Sequence, residues 1–227
     1  MSKLFKFSLL FICFLFSVNV SLAQKAKPKS TPKVAKQTKV DLGILRQNTY
    51  TNDFFEIKIE FPFGWLVGDN MLESQLMEIK KQSIQAVNPK DQKSLTAAMN
   101  RVVPLLGGYR VLPGSSAENS SLRIVVESLA TAPDIKTSRN YLSKVLSSIN
   151  IVKMPEGFIV SEIKEEEING KKINYIETKY LTSQKRNYVM LKKGFAVLIT
   201  IDSYNQEDFD ELHKVLREAD LDYKKTN

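Results

Sequence analysis

The dipeptide Asn169-Gly170 constrains the fold of this chain more than any other local feature. It separates two stretches of strand-forming residues, 158–166 and 172–182. A two-residue hairpin turn needs positive φ angles at both central positions, and Asn and Gly adopt them at low cost. Because strands joined by such a turn must be antiparallel, the sequence predicts an antiparallel hairpin here. Lys193-Gly194 predicts a second hairpin further along the chain.

Hydrophobic periodicity predicts the remaining elements. Phe55, Ile57, Ile59 and Phe61 alternate with charged residues, which is typical of a strand with one solvent-facing side. Apolar runs predict strands over residues 102–112, 122–130, 187–192 and 195–204. Apolar residues at helical spacing predict helices over residues 69–87, 88–101, 137–149 and 206–219. Gly107-Gly108, inside a predicted strand, indicates a bulge or a close approach of another group.

The order of these elements predicts an α+β fold. Strands that are grouped between helices and joined by tight turns favour a mainly antiparallel β-sheet. Two predicted strands, around Ile124-Val125-Val126 and Val197-Leu198-Ile199, are apolar on both sides. We therefore expect helices on both faces of the sheet, in an α/β/α sandwich, within one domain over residues 49–223.

The N-terminal 23 residues have the pattern of a secretory signal peptide. Lys3 and Lys6 precede an apolar run over residues 7–20, and Ser21-Leu22-Ala23 provides small residues for cleavage after Ala23. As a helix the run would be about 21 Å long, short of the roughly 30 Å of a hydrocarbon core. Export to the periplasm or the cell exterior is therefore expected, with retention as an anchor as the alternative. The single cysteine, Cys13, would leave with this segment.

The excess of positive charge is confined to the N-terminal region. Residues 24–48 begin with a Lys/Pro-rich stretch that has little to bury, so we expect a disordered linker. Eight of the 33 basic residues precede Asp41, which leaves 25 basic and 25 acidic residues in the rest of the chain. A neutral domain does not suit nucleic acid. Six lysines in the linker could still make a weak, salt-sensitive contact with an anionic envelope surface.

The beginning of the predicted domain resembles a known family. Residues 50–65, with an aromatic strand that runs into Pro62-Phe63-Gly64-Trp65, are similar to the opening of PsbP-like proteins. The hairpin from Tyr188 to Gly194, followed by an apolar strand and an acidic helix, resembles their closing pattern. This superfamily includes a Ran-binding nuclear-import factor and exported DcrB-like bacterial proteins. The resemblance implies the α/β/α fold and a non-enzymatic role through contact with partners.

Few residues in this sequence are suited to catalysis or metal binding. With one histidine, His213, and no cysteine after the signal segment, a zinc site is not expected. His213 is expected at the edge of the apolar stripe of the last helix. Glu165-Glu166-Glu167 is expected to be a solvated hairpin end, and Asp208, Asp210 and Glu211 to complement the dipole of the last helix. We predict no catalytic, cofactor-binding or metal-binding residues and no cofactor.

The densest aromatic group consists of Phe61, Phe63 and Trp65. We expect it to pack in the core, and the alternative is an aromatic lining of a ligand-binding groove. The sequence therefore predicts an exported, non-enzymatic protein that binds or supports another envelope or secreted protein. The alternative is a small-ligand carrier or a carboxylate-dependent hydrolase of the cell envelope.

Overall fold

The structure is a computed structural model that describes residues 40–115 and 118–224. In this part of the chain four α-helices are α1 (Asn70–Ser83), α2 (Pro89–Met99), α3 (Ser138–Ser148) and α4 (Gln206–Glu218). The first six strands are β1 (Ile44–Arg46), β2 (Thr49–Asn52), β3 (Ile57–Glu60), β4 (Leu66–Asp69), β5 (Val102–Tyr109) and β6 (Ser121–Ser128). Five more are β7 (Ile159–Val160), β8 (Lys164–Ile168), β9 (Lys171–Tyr180), β10 (Ser183–Lys192) and β11 (Phe195–Ser203).

The strands form two antiparallel sheets. The small sheet has the order β1-β2-β3, and the large sheet has the order β4-β5-β6-β11-β10-β9-β7, with β8 paired to β9. Each pairing in both sheets is antiparallel. The predicted α+β class with a mainly antiparallel sheet is therefore confirmed.

The two hairpin turns have the backbone conformation that the sequence predicts. The φ angles are 51° at Asn169 and 72° at Gly170, and 50° at Lys193 and 81° at Gly194. A third hairpin joins β9 to β10 through Leu181, whose φ of 52° is unusual for leucine. Because leucine gives no turn signal, the predicted strands at 172–182 and 187–192 missed this hairpin, and the second of them in fact begins at Ser183.

The ordered domain begins earlier than the predicted boundary at residue 49. Strand β1, Ile44–Arg46, pairs with β2 inside the stretch assigned to the linker. Leu42 accepts a hydrogen bond from the hydroxyl of Tyr50 at 2.9 Å, and Val40 packs against the core. The predicted boundary was wrong because strand β1 has only three residues, two of them exposed. Its sequence is too short to show the alternation of apolar and polar residues that predicts a strand. The predicted signal peptide, residues 1–23, and residues 24–39 lie outside the described part of the chain.

Residues of β11 alternate between two separate cores, which defines two faces of the large sheet. Val197, Ile199 and Ile201 belong to one core, and the side of the sheet that they occupy is called the first face. It is covered by α4 and the small sheet. Ala196 and Leu198 belong to the other core, and their side is called the second face. Buried residues of α2 and α3 pack there, together with Met77 of α1.

The glycine pair in β5 marks close approaches on both faces, as the sequence predicts. A Cβ atom on Gly107 would lie 2.3 Å from the Glu73 carboxylate, and one on Gly108 would lie 2.0 Å from the Phe61 ring. The register of β5 also shifts between Pro104 and Leu106, which marks an irregularity beside the pair. None of the helices in the described ranges has the length and apolar character that crossing a bilayer requires.

Candidate protein-interaction site

The predicted aromatic group is divided between the core and the solvent. Phe61 and Trp65 are buried, with 2% and 3% of their surface exposed, whereas Phe63 is fully exposed at 101%. Gly64, with a φ of 94°, allows the turn between β3 and β4 that separates them. The prediction of core packing is therefore right for Phe61 and Trp65. It is wrong for Phe63, which the turn directs into solvent.

Arg110 connects this aromatic turn to α4. Its guanidinium lies over the ring of Trp65, 5.4 Å from the centroid. It also lies 3.5 Å from a carboxylate oxygen of Asp208 and 3.1 Å from one of Glu211. The backbone N–H of Asp208 donates to the side chain of Asn205, the N-cap of α4. Asp208 thus lies in the first turn of the helix, where its charge complements the dipole as predicted.

An open groove of about 470 Å³ lies between the end of β3 and α4. We call it the acidic groove, and its lining residues are Glu60, Phe61, Pro62, Glu211, Lys214, Val215 and Glu218. The lining has three carboxylates and one ammonium. Arg110 pairs with the carboxylate of Glu211 from outside the lining, so the groove with Arg110 has a net charge of −1 at neutral pH. Phe61, Pro62 and Val215 are the apolar part of the lining, and Phe63, with its exposed ring, directly follows Pro62 in the chain. The site therefore combines negative charge with a fully exposed aromatic side chain.

One of the hairpin carboxylates, Glu166, meets His213 on the first face. The sequence suggested these two residues only as separate features. Glu165 and Glu167 are exposed as predicted, but Glu166 is half-buried. Its carboxylate lies 2.7 Å from Nε2 of His213 and accepts hydrogen bonds from Tyr188 at 2.8 Å and Arg186 at 3.2 Å. No local sequence pattern could have shown this, since the four side chains come from β8, β10 and α4.

The network around Glu166 stabilises an ionised carboxylate. Burial acts to raise the pKa of Glu166, but the hydrogen bond from Tyr188 and the charges of His213 and Arg186 outweigh it and lower the pKa. Burial lowers the pKa of His213, against the opposing charge of Glu166. A general acid needs a raised carboxyl pKa, and this carboxylate has the reverse. The arrangement therefore suits a structural connection between the sheet and α4.

Carboxylates with raised pKa values do occur, but on the second face. Burial raises the pKa of Glu73, against the charge of Arg123 and the hydrogen bond from Tyr109. Burial also raises the pKa of Glu127, against a hydrogen bond from Tyr141. Both residues are buried, with 3% and 1% of their surface exposed. Neither lines the acidic groove. No group of three or more His, Cys, Asp or Glu side chains in residues 40–115 and 118–224 could hold a metal ion.

A second open groove, of about 510 Å³, lies at the opposite end of the large sheet and includes Lys136, Lys192 and Lys193 in its lining. Two of these lysines already have partners. Lys192 donates to the backbone oxygens of Glu56 and Leu221, and Lys193 lies 3.0 Å from the Glu56 carboxylate. Two of the three cations of this groove are therefore already engaged.

Comparison with known proteins gave only distant likenesses. No family model and no curated protein matches the chain. Among solved structures, LpqN, described as involved in cell envelope biogenesis of Mycobacterium tuberculosis, is 11% identical, with a TM-score of 0.38. That match covers 72% of this chain and 81% of LpqN. PsbP from Synechocystis sp. PCC 6803 is 10% identical, with a TM-score of 0.40, over 79% of this chain and 92% of PsbP.

A PsbP structure is thus among the matches. At these TM-scores and identities, the two likenesses carry no conclusion about what this chain binds or does.

Proposed function

We propose that this chain is an exported, non-enzymatic protein that binds another envelope or secreted protein through Phe63 and the acidic groove. The observation that carries the proposal is the exposed ring of Phe63 beside a groove of net negative charge. Large apolar side chains that remain in solvent next to a concave surface are typical of interaction sites, and aromatic residues are enriched among the residues that dominate binding energy. The export part rests on the signal-peptide pattern of residues 1–23.

The lining of the groove defines the chemistry of the partner. Glu60 and Glu218 lie on opposite sides of the groove, from β3 and α4, and Lys214 is the single cation in the lining. A partner segment with a lysine or arginine next to an apolar residue would place its charge in the groove and its apolar side chain on Phe63. Such charge complementarity mainly sets specificity and the rate of association, whereas the aromatic contact contributes most of the affinity.

The non-enzymatic part of the proposal rests on the carboxylates. A hydrolase would use two carboxylates in one concave site, one of them with a raised pKa. Glu73 and Glu127, whose pKa values are raised, are buried on the second face and are each engaged by a tyrosine. Glu166, at the surface of the first face, has a lowered pKa. The alternative of a carboxylate-dependent hydrolase is therefore less well supported than a binding role.

A pull-down from envelope extracts at physiological salt, with quantified variants, tests this proposal. We expect the mature protein to recover a partner and Phe63→Ser to weaken that binding by about 30-fold, the effect of losing a dominant contact residue. Because Phe63 is fully exposed, the melting temperature should not change. Val87→Ser, which also shortens an exposed apolar side chain, is the matched control and should keep full binding.

A second pair of variants tests the role of charge. Glu60→Gln combined with Glu218→Gln should weaken binding most at low salt, where screening is weakest. Glu156→Gln combined with Glu162→Gln removes the same charge from exposed positions outside the groove and should have no effect. Failure to recover any partner, or equal binding by Phe63→Ser and Val87→Ser, would contradict the proposal.

A further inference from the structure

The chain contains a segment whose charge is opposite to that of the acidic groove. Residues 24–39 include six lysines, two prolines and no acidic residue. The lysines give this segment a charge of +6, whereas the groove with Arg110 has a net charge of −1. The two therefore attract each other, most strongly at low ionic strength, where screening is weakest.

Glu60 is the carboxylate of the groove that is available to a lysine. Glu211 pairs with Arg110 at 3.1 Å, and Glu218 lies 3.7 Å from Lys214. Glu60 is exposed, and it forms no ion pair within residues 40–115 and 118–224. A lysine that enters the groove would therefore find an unpaired carboxylate on its β3 side.

The exposed ring of Phe63 suits the prolines of the same segment. Proline favours the extended polyproline II conformation, which has no internal hydrogen bonds, so such a segment loses little conformational entropy on binding. Segments of this kind dock on exposed aromatic rings. Pro28 and Pro32 are each next to a lysine in the sequence. One short stretch can therefore place a proline on Phe63 and an ammonium group beside Glu60.

The segment is long enough to reach the groove. Arg46, Thr49 and Glu60 lie side by side across β1, β2 and β3, so Arg46 and Glu60 are about 10 Å apart. Val40 precedes Arg46 by six residues and is at most about 22 Å from it. The distance from Val40 to Glu60 is therefore at most about 32 Å. The ten residues from Val40 back to Ser30 span about 33 Å when extended, which is sufficient.

We propose that residues 24–33 occupy the acidic groove of their own molecule, with a lysine beside Glu60 and a proline on Phe63, and that a partner displaces them. This inference rests on the proposed binding role of the groove and makes the segment an internal competitor for it. Attachment to the domain gives the segment an effective concentration in the millimolar range, so even millimolar affinity fills the groove about half of the time. Such a weak contact leaves the melting temperature almost unchanged.

A nitroxide spin label on residue 30 tests the inference in the mature protein. The single cysteine, Cys13, would leave with the signal segment, so Ser30→Cys provides one attachment site. The label should broaden the NMR signal of the Val215 amide at low salt. The broadening should fall about threefold in about 1 M sodium chloride, where the Debye length is about 3 Å. The amide of Leu181, in the hairpin between β9 and β10, is the reference and should stay sharp.

Charge variants separate binding in the groove from mere proximity of the label. Glu60→Gln combined with Glu218→Gln should reduce the broadening of the Val215 signal about threefold at low salt. Glu156→Gln combined with Glu162→Gln removes the same charge from exposed positions outside the groove and should leave the broadening unchanged. Equal broadening in both double variants, or no broadening of Val215 in the labelled protein, would overturn the inference.

Two further variants test the aromatic contact. Phe63→Ser should reduce the broadening about twofold, whereas Val87→Ser, also at an exposed apolar position, should not change it. Pro28→Ala combined with Pro32→Ala keeps every charge and should have the same effect as Phe63→Ser. An unchanged signal in either variant would overturn the assignment of a proline to Phe63.

A mixing experiment distinguishes this occupant from a second copy of the chain. Spin-labelled protein without isotopes is mixed with isotope-labelled protein that has no spin label. The Val215 signal should stay sharp in the mixture, and broadening there would show that the segment binds a neighbouring molecule instead. Because these measurements need no external partner, their failure is distinguishable from failure of the pull-down that tests the proposed function.

Discussion

The two sides of strand β11 are equally buried but chemically different. On the first face Val197, Ile199 and Ile201 stay apolar to the end of the strand. On the second face Ala196 and Leu198 are followed by Thr200 and Asp202, although neither polar residue has more than 4% of its surface exposed. Within one strand, burial therefore does not determine polarity. The polarity of each buried residue instead follows that of the groups packed against it. These groups are α4 and the small sheet on the first face, and the charged side chains of α1 on part of the second face.

This difference also bears on how much each face stabilises the fold. Well-packed apolar residues are often as stabilising as a buried ion pair, or more so, because ions lose their hydration on burial. The polar rows are the two lines of buried polar side chains on the second face, with Arg123 and Thr200 in one and Asp202 and Lys185 in the next. They keep Arg123, Lys185 and Asp202 in the interior, whereas the residues of β11 on the first face are all apolar.

The largest effect should come from the first face. Trp65→Ala removes a side chain that is 3% exposed and packs in that core, so it should lower the free energy of unfolding by about 3–5 kcal/mol. Denaturant melts of the two proteins provide the measurement. A loss below about 1.5 kcal/mol would show that the ring contributes little to the core, and that the first face is less tightly packed than the structure indicates.

Alanine substitutions at the two adjacent glycines of β5 compare how tightly the two faces are packed. Gly108→Ala places a methyl group against the ring of Phe61, which cannot move without disturbing the core, and should cost about 3 kcal/mol. Gly107→Ala meets the end of the flexible Glu73 side chain and, at 2.7 Å, the hydroxyl of Tyr109. These two groups can move apart at the loss of the hydrogen bond between them, so the substitution should cost less, about 1–2 kcal/mol. Chemical denaturation of both variants measures the two losses in the free energy of unfolding. Equal costs would mean that the polar rows are packed as rigidly as the apolar core.

The pH dependence of stability isolates the charge of the polar rows. Burial lowers the pKa of Lys185 to about 8, with Asp202 opposing and Arg123 adding to the effect. Above pH 8 the folded protein releases this proton, whereas the unfolded chain retains it up to the ordinary lysine value, so stability rises with pH. Between pH 8 and 9.5 the free energy of unfolding should increase by about 1.5 kcal/mol.

Lys185→Met provides the reference for this measurement, because Lys80, whose pKa is also lowered, is present in both proteins. The part of the rise that belongs to Lys185 should be missing from Lys185→Met, so the difference between the two stability curves should grow from pH 8 to 9.5. Parallel curves would show that Lys185 titrates as an exposed lysine does.

The smallest effect concerns the edge of the first face. Deletion of residues 24–39 from the mature protein should leave the melting temperature unchanged within a degree, because this Lys/Pro-rich stretch has little apolar surface to bury. Deletion through Leu42 should lower it clearly, since Val40 packs against the core and the backbone oxygen of Leu42 accepts the Tyr50 hydrogen bond. Differential scanning calorimetry separates the two. A large shift from the shorter deletion would place part of the predicted linker on the domain.

Local elements of the fold could be predicted because their signals are local. Helices α1 and α2 begin within one residue of their predicted starts at 69 and 88: Asp69 caps α1 through its side chain, and α2 begins at Pro89. The third hairpin could not be predicted, because Leu181 adopts a positive φ only under the pairing of two ten-residue strands. Strand β4 was missed as well, since its four residues follow no alternation and gain order by pairing with β5.

The candidate site shows the same division. The sequence identified Phe61, Phe63 and Trp65 as a group but could not determine which ring remains in solvent, because that depends on the direction of one turn. It also gave no sign that Arg110 and Glu211, 101 residues apart, would meet beside Trp65.

The sequence by itself determined the antiparallel hairpins at Asn169-Gly170 and Lys193-Gly194 and the α+β class, because backbone conformation and side-chain alternation follow from neighbouring residues. Only the tertiary structure decided which polar residues are buried. Lys185 and Thr178 occupy positions that in an isolated hairpin would face water, and in the folded protein only 2% and 1% of their surfaces remain exposed. Burial of a charge depends on groups that the fold brings together from distant parts of the chain. The sequence around a residue does not show which groups these are.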